Sequence, residues 1–147
     1  MGYKVGDLRQ VRAESVGTET TQQSPLDDDR EINSIVEELK LRPKLEKRQE
    51  RILRRYIHDM RGAISEVGRV LSTTGNAVYV VGENTIRGTY VRTSTIVLKL
   101  AELAGLSSKG RQTRGLPANR RYMPPPGRAL GSMDTRMRRE VVVSLAK

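Results

Sequence analysis

Asn76-Ala77-Val78-Tyr79-Val80-Val81 is the stretch that decides the fold, with Gly75 before it and Gly82 after it. The run is continuous, apolar and rich in β-branched residues. Such side chains suit the pleated surface of a strand. The absence of polar alternation predicts a strand buried on both faces, and hence a sheet covered by helices.

The flanking segments supply those helices. Upstream, Leu53, Tyr56, Ile57, Met60, Ile64, Val67 and Leu71 recur every three or four residues, one stripe of a long helix. Pro43 should open it, because a missing N–H is no loss in a first turn. Gly75 should supply the closing turn. Gly62 and Gly68 weaken the helix but permit close packing. Lys47, Arg48, Arg51, Arg54, Arg55 and Arg61 lie off the stripe and read as a solvated cationic face. His58 reads as a partly buried helix residue. Further upstream, Ile32, Ile35, Val36 and Leu39 mark a shorter helix that Asp29 can cap.

Downstream, Gly82-Glu83-Asn84 ends the strand with turn chemistry. Thr93 or Ser94 should cap a helix striped by Ile96, Val97, Leu100 and Leu103, which Gly105 closes. Leu106–Leu116 and Arg139–Ala146 read as strands with no helix between them, and so as an antiparallel pair at one sheet edge. The class is α/β. Residues 1–28 read as a polar loop segment with a short helix around Leu8–Ser15, and residues 29–147 as the organised part.

Composition sets outer limits. The 147 residues fit one domain. Without Phe or Trp the core must be aliphatic, and without Cys there is neither a disulfide nor a thiolate metal site. A single histidine cannot build a His-based zinc site. No apolar run approaches the ~20 residues that span a bilayer. The formal charge of +10 favours a polyanionic partner such as nucleic acid. The first forty residues are acidic on balance, whereas Asp134 is the only acid between residues 109 and 139.

The most distinctive motif is Asn119-Arg120-Arg121-Tyr122-Met123-Pro124-Pro125-Pro126. Guanidiniums form bidentate bonds to phosphates or guanine edges, and a tyrosine ring offers a stacking face. The same residue types also make an ordinary solvated loop. Arg136, Arg138 and Arg139 precede the last strand, where they would hold phosphates or pair with the acidic first segment. Val81–Gly88 follows a strand and is placed to serve as a ligand loop, although its glycines form no nucleotide-binding fingerprint. Glu83 within it reads equally well as a plain turn residue.

Together these motifs resemble the later part of site-specific DNA methyltransferases of the class I, S-adenosylmethionine-dependent family. The resemblance runs through Asp59-Met60-Arg61, Glu66–Leu71, Val78–Gly82 and Thr85-Ile86-Arg87-Gly88. It continues in Leu116–Pro126 and in Arg136-Met137-Arg138-Arg139-Glu140-Val141-Val142-Val143. It implies a partial Rossmann-like methyltransferase sheet flanked by helices. Asn76–Val81 would be the fifth strand, Thr95–Ala104 the next helix, and Leu106–Leu116 and Glu140–Leu145 the sixth and seventh strands, the seventh inserted antiparallel. It also implies a nucleic-acid surface of Arg87, Asn119, Arg120, Arg121, Tyr122, Arg136 and Arg138.

Two family motifs do not occur in these residues. There is no glycine-rich loop to hold S-adenosylmethionine, and no Asn/Asp/Ser-Pro-Pro-Tyr motif to hold the target amine. No catalytic and no cofactor-binding residue is therefore expected. The chain reads as a truncated or split C-terminal portion, inactive alone. S-adenosylmethionine would be the cofactor of the complete family enzyme, and this chain alone would bind none. DNA and a complementing N-terminal methyltransferase half are the expected partners. No membrane and no metal are expected, and the expected location is cytoplasmic. The alternatives are a non-catalytic nucleic-acid-binding module, a fragment of an RNA methyltransferase, and an interaction subunit completing a partner's sheet.

Overall fold

The structure is a computed structural model that describes residues 5–15, 29–86, 89–117 and 139–147. It is mixed α/β. The chain forms two compact units that divide between Ala63 and Ile64. The elements in order are α1 (Val5–Glu14), α2 (Arg30–Glu38), a 3-10 turn (Arg42–Lys44), α3 (Lys47–Val70), β1 (Asn76–Gly82), β2 (Asn84–Ile86), β3 (Thr89–Val91), α4 (Thr93–Leu103), β4 (Ser107–Gly115) and β5 (Arg139–Ala146).

The first unit is helical. As the sequence predicts, Asp29 caps α2, its Oδ1 accepting from the N–H groups of Glu31 and Ile32 at 3.1 Å. Burial opposes ionisation of Asp29. The Ile32 N–H and the Arg61 guanidinium outweigh it and hold the carboxyl below its ordinary 3.8. Ile32, Ile35, Val36, Leu41, Leu53 and Ile57 are buried. Pro43 does not open α3. It lies in the separate 3-10 turn, Leu45 is extended, and α3 starts at Lys47. The start is fixed by Gln49, whose Oε1 accepts from the Glu46 N–H at 2.9 Å while its Nε2 donates to Glu46 Oε2 at 3.3 Å. This is a capping-box contact.

The expected solvated face of α3 is only partly so. Arg54 is 2% exposed, donates to Glu50 Oε1 from Nε at 2.9 Å and Nη2 at 2.8 Å, and reaches Asn33 Oδ1 at 2.8 Å. Arg55 pairs with Asp59 at 2.8 Å. Arg61 pairs with Asp29 at 2.8 Å and Glu31 at 2.9 Å. Acids four residues away, or in the first turn of α2, neutralise what the helical pattern alone leaves to water. His58 is exposed rather than partly buried.

The second unit holds the sheet. Its strand order is β1-β5-β4, with β5 antiparallel to both neighbours. A separate hairpin pairs β2 with β3. Helix α4 packs across all three strands of the sheet. It buries Ile96, Val97, Leu100 and Ala101, and Val141, Val143 and Leu145 are buried on β5. Gly105 ends α4 with φ of 75°, and Leu106 N–H donates back to Ala101 O at 2.8 Å. That is the left-handed helix stop expected of a glycine. Gly68 carries the close packing foreseen for it: a Cβ there would sit 2.9 Å from Ala104 O. Gly62 faces open space. The Lys147 ammonium donates to Gly68 O at 2.8 Å and Leu71 O at 3.0 Å, satisfying carbonyls at the end of α3.

One expectation about β1 fails. The strand is not buried on both faces, since Val78 is 62% and Val80 51% exposed. Only the alternate positions Ala77, Tyr79 and Val81 are sheltered. Among the described residues, β1 is also a sheet edge.

Candidate functional site

The ends of several elements of the second unit meet at one end of the sheet. Register places Gly82 opposite Glu140, and Arg139 opposite Gly115, so β1 leaves the sheet where β5 enters it. The Glu83 N–H donates to Arg139 O at 3.3 Å and ties the two strands at that point. Arg111 lies opposite Val143, and Thr113 opposite Val141. With side chains alternating along a strand, Arg111 and Thr113 share the face of β4 that continues the buried β5 residues.

Glu83 is 7% exposed. Its Oε1 accepts a short hydrogen bond from Ser94 Oγ. Arg111 Nη2 donates to Ser94 Oγ at 2.8 Å and lies 3.4 Å from Glu83 Oε1. Carboxylate, hydroxyl and guanidinium thus form a closed cluster joining the end of β1, the first turn of α4 and the middle of β4. Ser94 does not cap α4 as the sequence suggests. The residue ahead of the helix is Arg92, whose side chain makes no cap bond. Ser94 has no exposed surface, so its hydroxyl cannot meet a substrate and the cluster is not a nucleophile–base pair.

Beside the cluster lies a cavity of about 370 Å3 lined by Arg92, Arg111, Arg139, Tyr90, Glu83 and Val141. The three guanidiniums are exposed, and so is Tyr90, at 54%. Among the described residues, neither Arg92 nor Arg139 has an ion pair. Arg114, on the opposite face of β4, is paired with Glu140. Three cations and one buried carboxylate leave the cavity net positive. Glu83 Oε2 is buried without a hydrogen-bond partner among the described residues, so the guanidinium field is its main compensation. Chemically the cavity can hold an anion and stack a flat ring.

The residues predicted for a nucleic-acid surface, Arg87, Asn119, Arg120, Arg121, Tyr122, Arg136 and Arg138, lie outside the described residues. Arg139, noted with the last two, does line the cavity. Glu83 lies in the Val81–Gly88 segment that the sequence places as a ligand loop, whereas Tyr90, Arg92 and Arg111 carry no such signal. The available signal was β4, a strand with no apolar residue in Ser107–Gly115. Among the described residues, no group of three or more acids or histidines could hold a metal ion. No described helix is long and apolar enough to cross a membrane. Comparison with known proteins gives no match to a family model, a curated protein or a solved structure.

Proposed function

We propose that these residues form the distal half of a class I, S-adenosylmethionine-dependent DNA methyltransferase domain whose cofactor-holding residues lie outside them. The observation that carries the reading is the sheet. The last strand in sequence lies between two earlier ones and antiparallel to both, which is the arrangement the resemblance implies. The unpaired outer edge of β1, with Val78 and Val80 exposed beside it, supports a domain continuing in that direction.

The described residues do not fit the cofactor. The cavity is lined by three guanidiniums, which repel a sulfonium and an ammonium alike. On the resemblance β1 is the fifth strand, and no glycine-rich loop follows a strand among the described residues. No step is assigned through the cofactor.

The test is direct. The purified 147-residue chain is incubated with tritiated S-adenosylmethionine and unmodified plasmid DNA, and cofactor binding is followed by calorimetry. Neither methyl transfer nor cofactor binding is expected. In native-state hydrogen exchange, the β1 amides that point away from β5 should exchange quickly. Methylation by the chain alone, or full protection along β1, overturns the reading.

A second reading, a nucleic-acid-binding module without catalysis, is favoured by the cationic cavity, because all its residues come from the one unit.

A further inference from the structure

We infer that the cavity between the Tyr90–Arg92 segment and the β4–β5 strands is a site for one unpaired nucleotide of a nucleic-acid strand. Tyr90 stacks the base, and Arg92, Arg111 and Arg139 hold the flanking phosphates. The inference does not depend on the methyltransferase reading, since every residue in it belongs to this chain and no cofactor is involved.

Three features lead to it. The first is charge without an ion-pair partner among the described residues. Arg92 and Arg139 face the cavity with no ion pair among the described residues, although acids accompany Arg54, Arg55 and Arg61 on α3. Planar guanidiniums match phosphate oxygens in bidentate fashion. The second is the exposed Tyr90 ring in the same lining. A phosphate site alone needs no aromatic face, whereas single-strand sites combine a cationic track with one. The third is size. About 370 Å3 lies near the lower end of small-molecule sites and gives room for a single nucleotide unit.

Glu83 and Ser94 act as positioning residues. Both are buried, and among the described residues they hold Arg111 through its Nη2. Among the described residues, Nη1 and Nε of Arg111 have no hydrogen bond and face the ligand. Stacking and phosphate contacts carry no base identity, so the site should accept any sequence.

The experiment is fluorescence anisotropy of the full chain with labelled twelve-nucleotide dT and rU strands, a blunt duplex of the same length, and inorganic phosphate and poly-glutamate as competitors. Single strands should bind more tightly than the duplex, with affinity falling steeply as salt rises. The dT and rU arms distinguish DNA from RNA as the source of the strand. Arg111→Gln, Arg92→Gln and Arg139→Gln should each weaken single-strand binding more than Arg51→Gln, which removes the same charge from an exposed position on α3. Tyr90→Ala, which removes no charge, should weaken it about tenfold, and Tyr90→Phe should not. Melting curves check that each variant folds. Should Tyr90→Ala unfold, photocrosslinking of a 5-bromouracil strand to the wild-type chain replaces it, and the crosslink should map to Tyr90.

Equal losses from Arg51→Gln and Arg111→Gln would reduce the effect to overall charge and overturn the inference. So would equal affinity for the duplex, or a folded Tyr90→Ala chain with unchanged binding. Complete displacement by millimolar phosphate would make this a plain anion site, and by poly-glutamate a site for acidic peptides. Either result also overturns it.

Discussion

Two groups of arginines in this chain, built from one residue type, do opposite things. On α3, Arg54, Arg55 and Arg61 each meet at least one carboxylate within 3 Å. Around the cavity, Arg92 and Arg139 meet none among the described residues, and Arg111 shares a single buried one. The first group is internal cement, and the second is presented outward. The difference follows from local sequence. Glu50 precedes Arg54 by four residues and Asp59 follows Arg55 by four, so helical geometry pairs them. Around the cavity no acid stands three or four residues from Arg92, Arg111 or Arg139. Net charge of +10 is thus a poor guide to where a polyanion would bind. The unpaired subset is the better one.

The largest effect should come from the cement. Arg54→Ala removes the buried guanidinium that donates to Glu50 and Asn33, and should cost about 2–4 kcal/mol. The measure is the urea midpoint at unchanged m-value. Oligonucleotide affinity of the folded variant should match that of Arg51→Gln. A loss of affinity as large as that of Arg111→Gln would erase the distinction between the groups.

Glu83→Ala sharpens the comparison from the other side. It removes the acceptor of the buried Ser94 hydroxyl and the partner of Arg111, and should cost about 1–3 kcal/mol. It also makes the cavity more positive. If only charge governed binding, single strands would bind more tightly. If Glu83 and Ser94 fix Arg111, binding should weaken despite the added net positive charge. Titration of this variant against the wild-type chain separates the two outcomes.

Much of this architecture was legible in sequence, and its failures have local causes. The Asn76–Val81 run marked β1, the stripes marked α2, α3 and α4, and Gly105 marked a helix end, because period and left-handed turns are local properties. Burial of β1 was misread. A continuous apolar run reports what a strand could bury, whereas Val78 and Val80 depend on elements that sequence alone does not place. Pro43 was misread because the Glu46–Gln49 capping pair competes with it for the helix start. The Glu83–Ser94–Arg111 cluster was invisible because its members are 11 and 17 residues apart and meet only through the β4–β5 register. Ser94 at a helix start looked like a cap, and only a buried carboxylate brought to it from β1 gives it another partner.

Acid titration reads the cement at one point. The folded carboxyl of Asp29 titrates below its ordinary 3.8, so its stabilisation is complete above that value and fades as pH falls through the lower folded value. Asparagine caps a helix about as well as aspartate, so Asp29→Asn removes the pairing with Arg61 and little else. The expected cost at pH 7 is about 0.5–1 kcal/mol, since the pair is partly solvated. It should shrink as pH falls below 3.8 and through the lower folded value. A cost that stays constant across that range would show that the ionised pairing with Arg61 is not what the substitution removes.

The smallest effect belongs to the presented group. Arg92→Gln and Arg139→Gln remove exposed guanidiniums that have no ion pair among the described residues, so stability should stay within about 0.5 kcal/mol of the wild-type chain. At low salt either change should stabilise slightly, because three cations share one cavity and each relieves the other two when removed. Added salt should abolish that gain, since exposed charges are screened over about 10 Å at 0.1 M ionic strength. The opposite salt trend, or a cost above about 1 kcal/mol for either variant, would mean that the side chain has a structural partner after all. The cavity arginines would then be cement of the same kind as Arg54, and the case for a ligand would lose its first support.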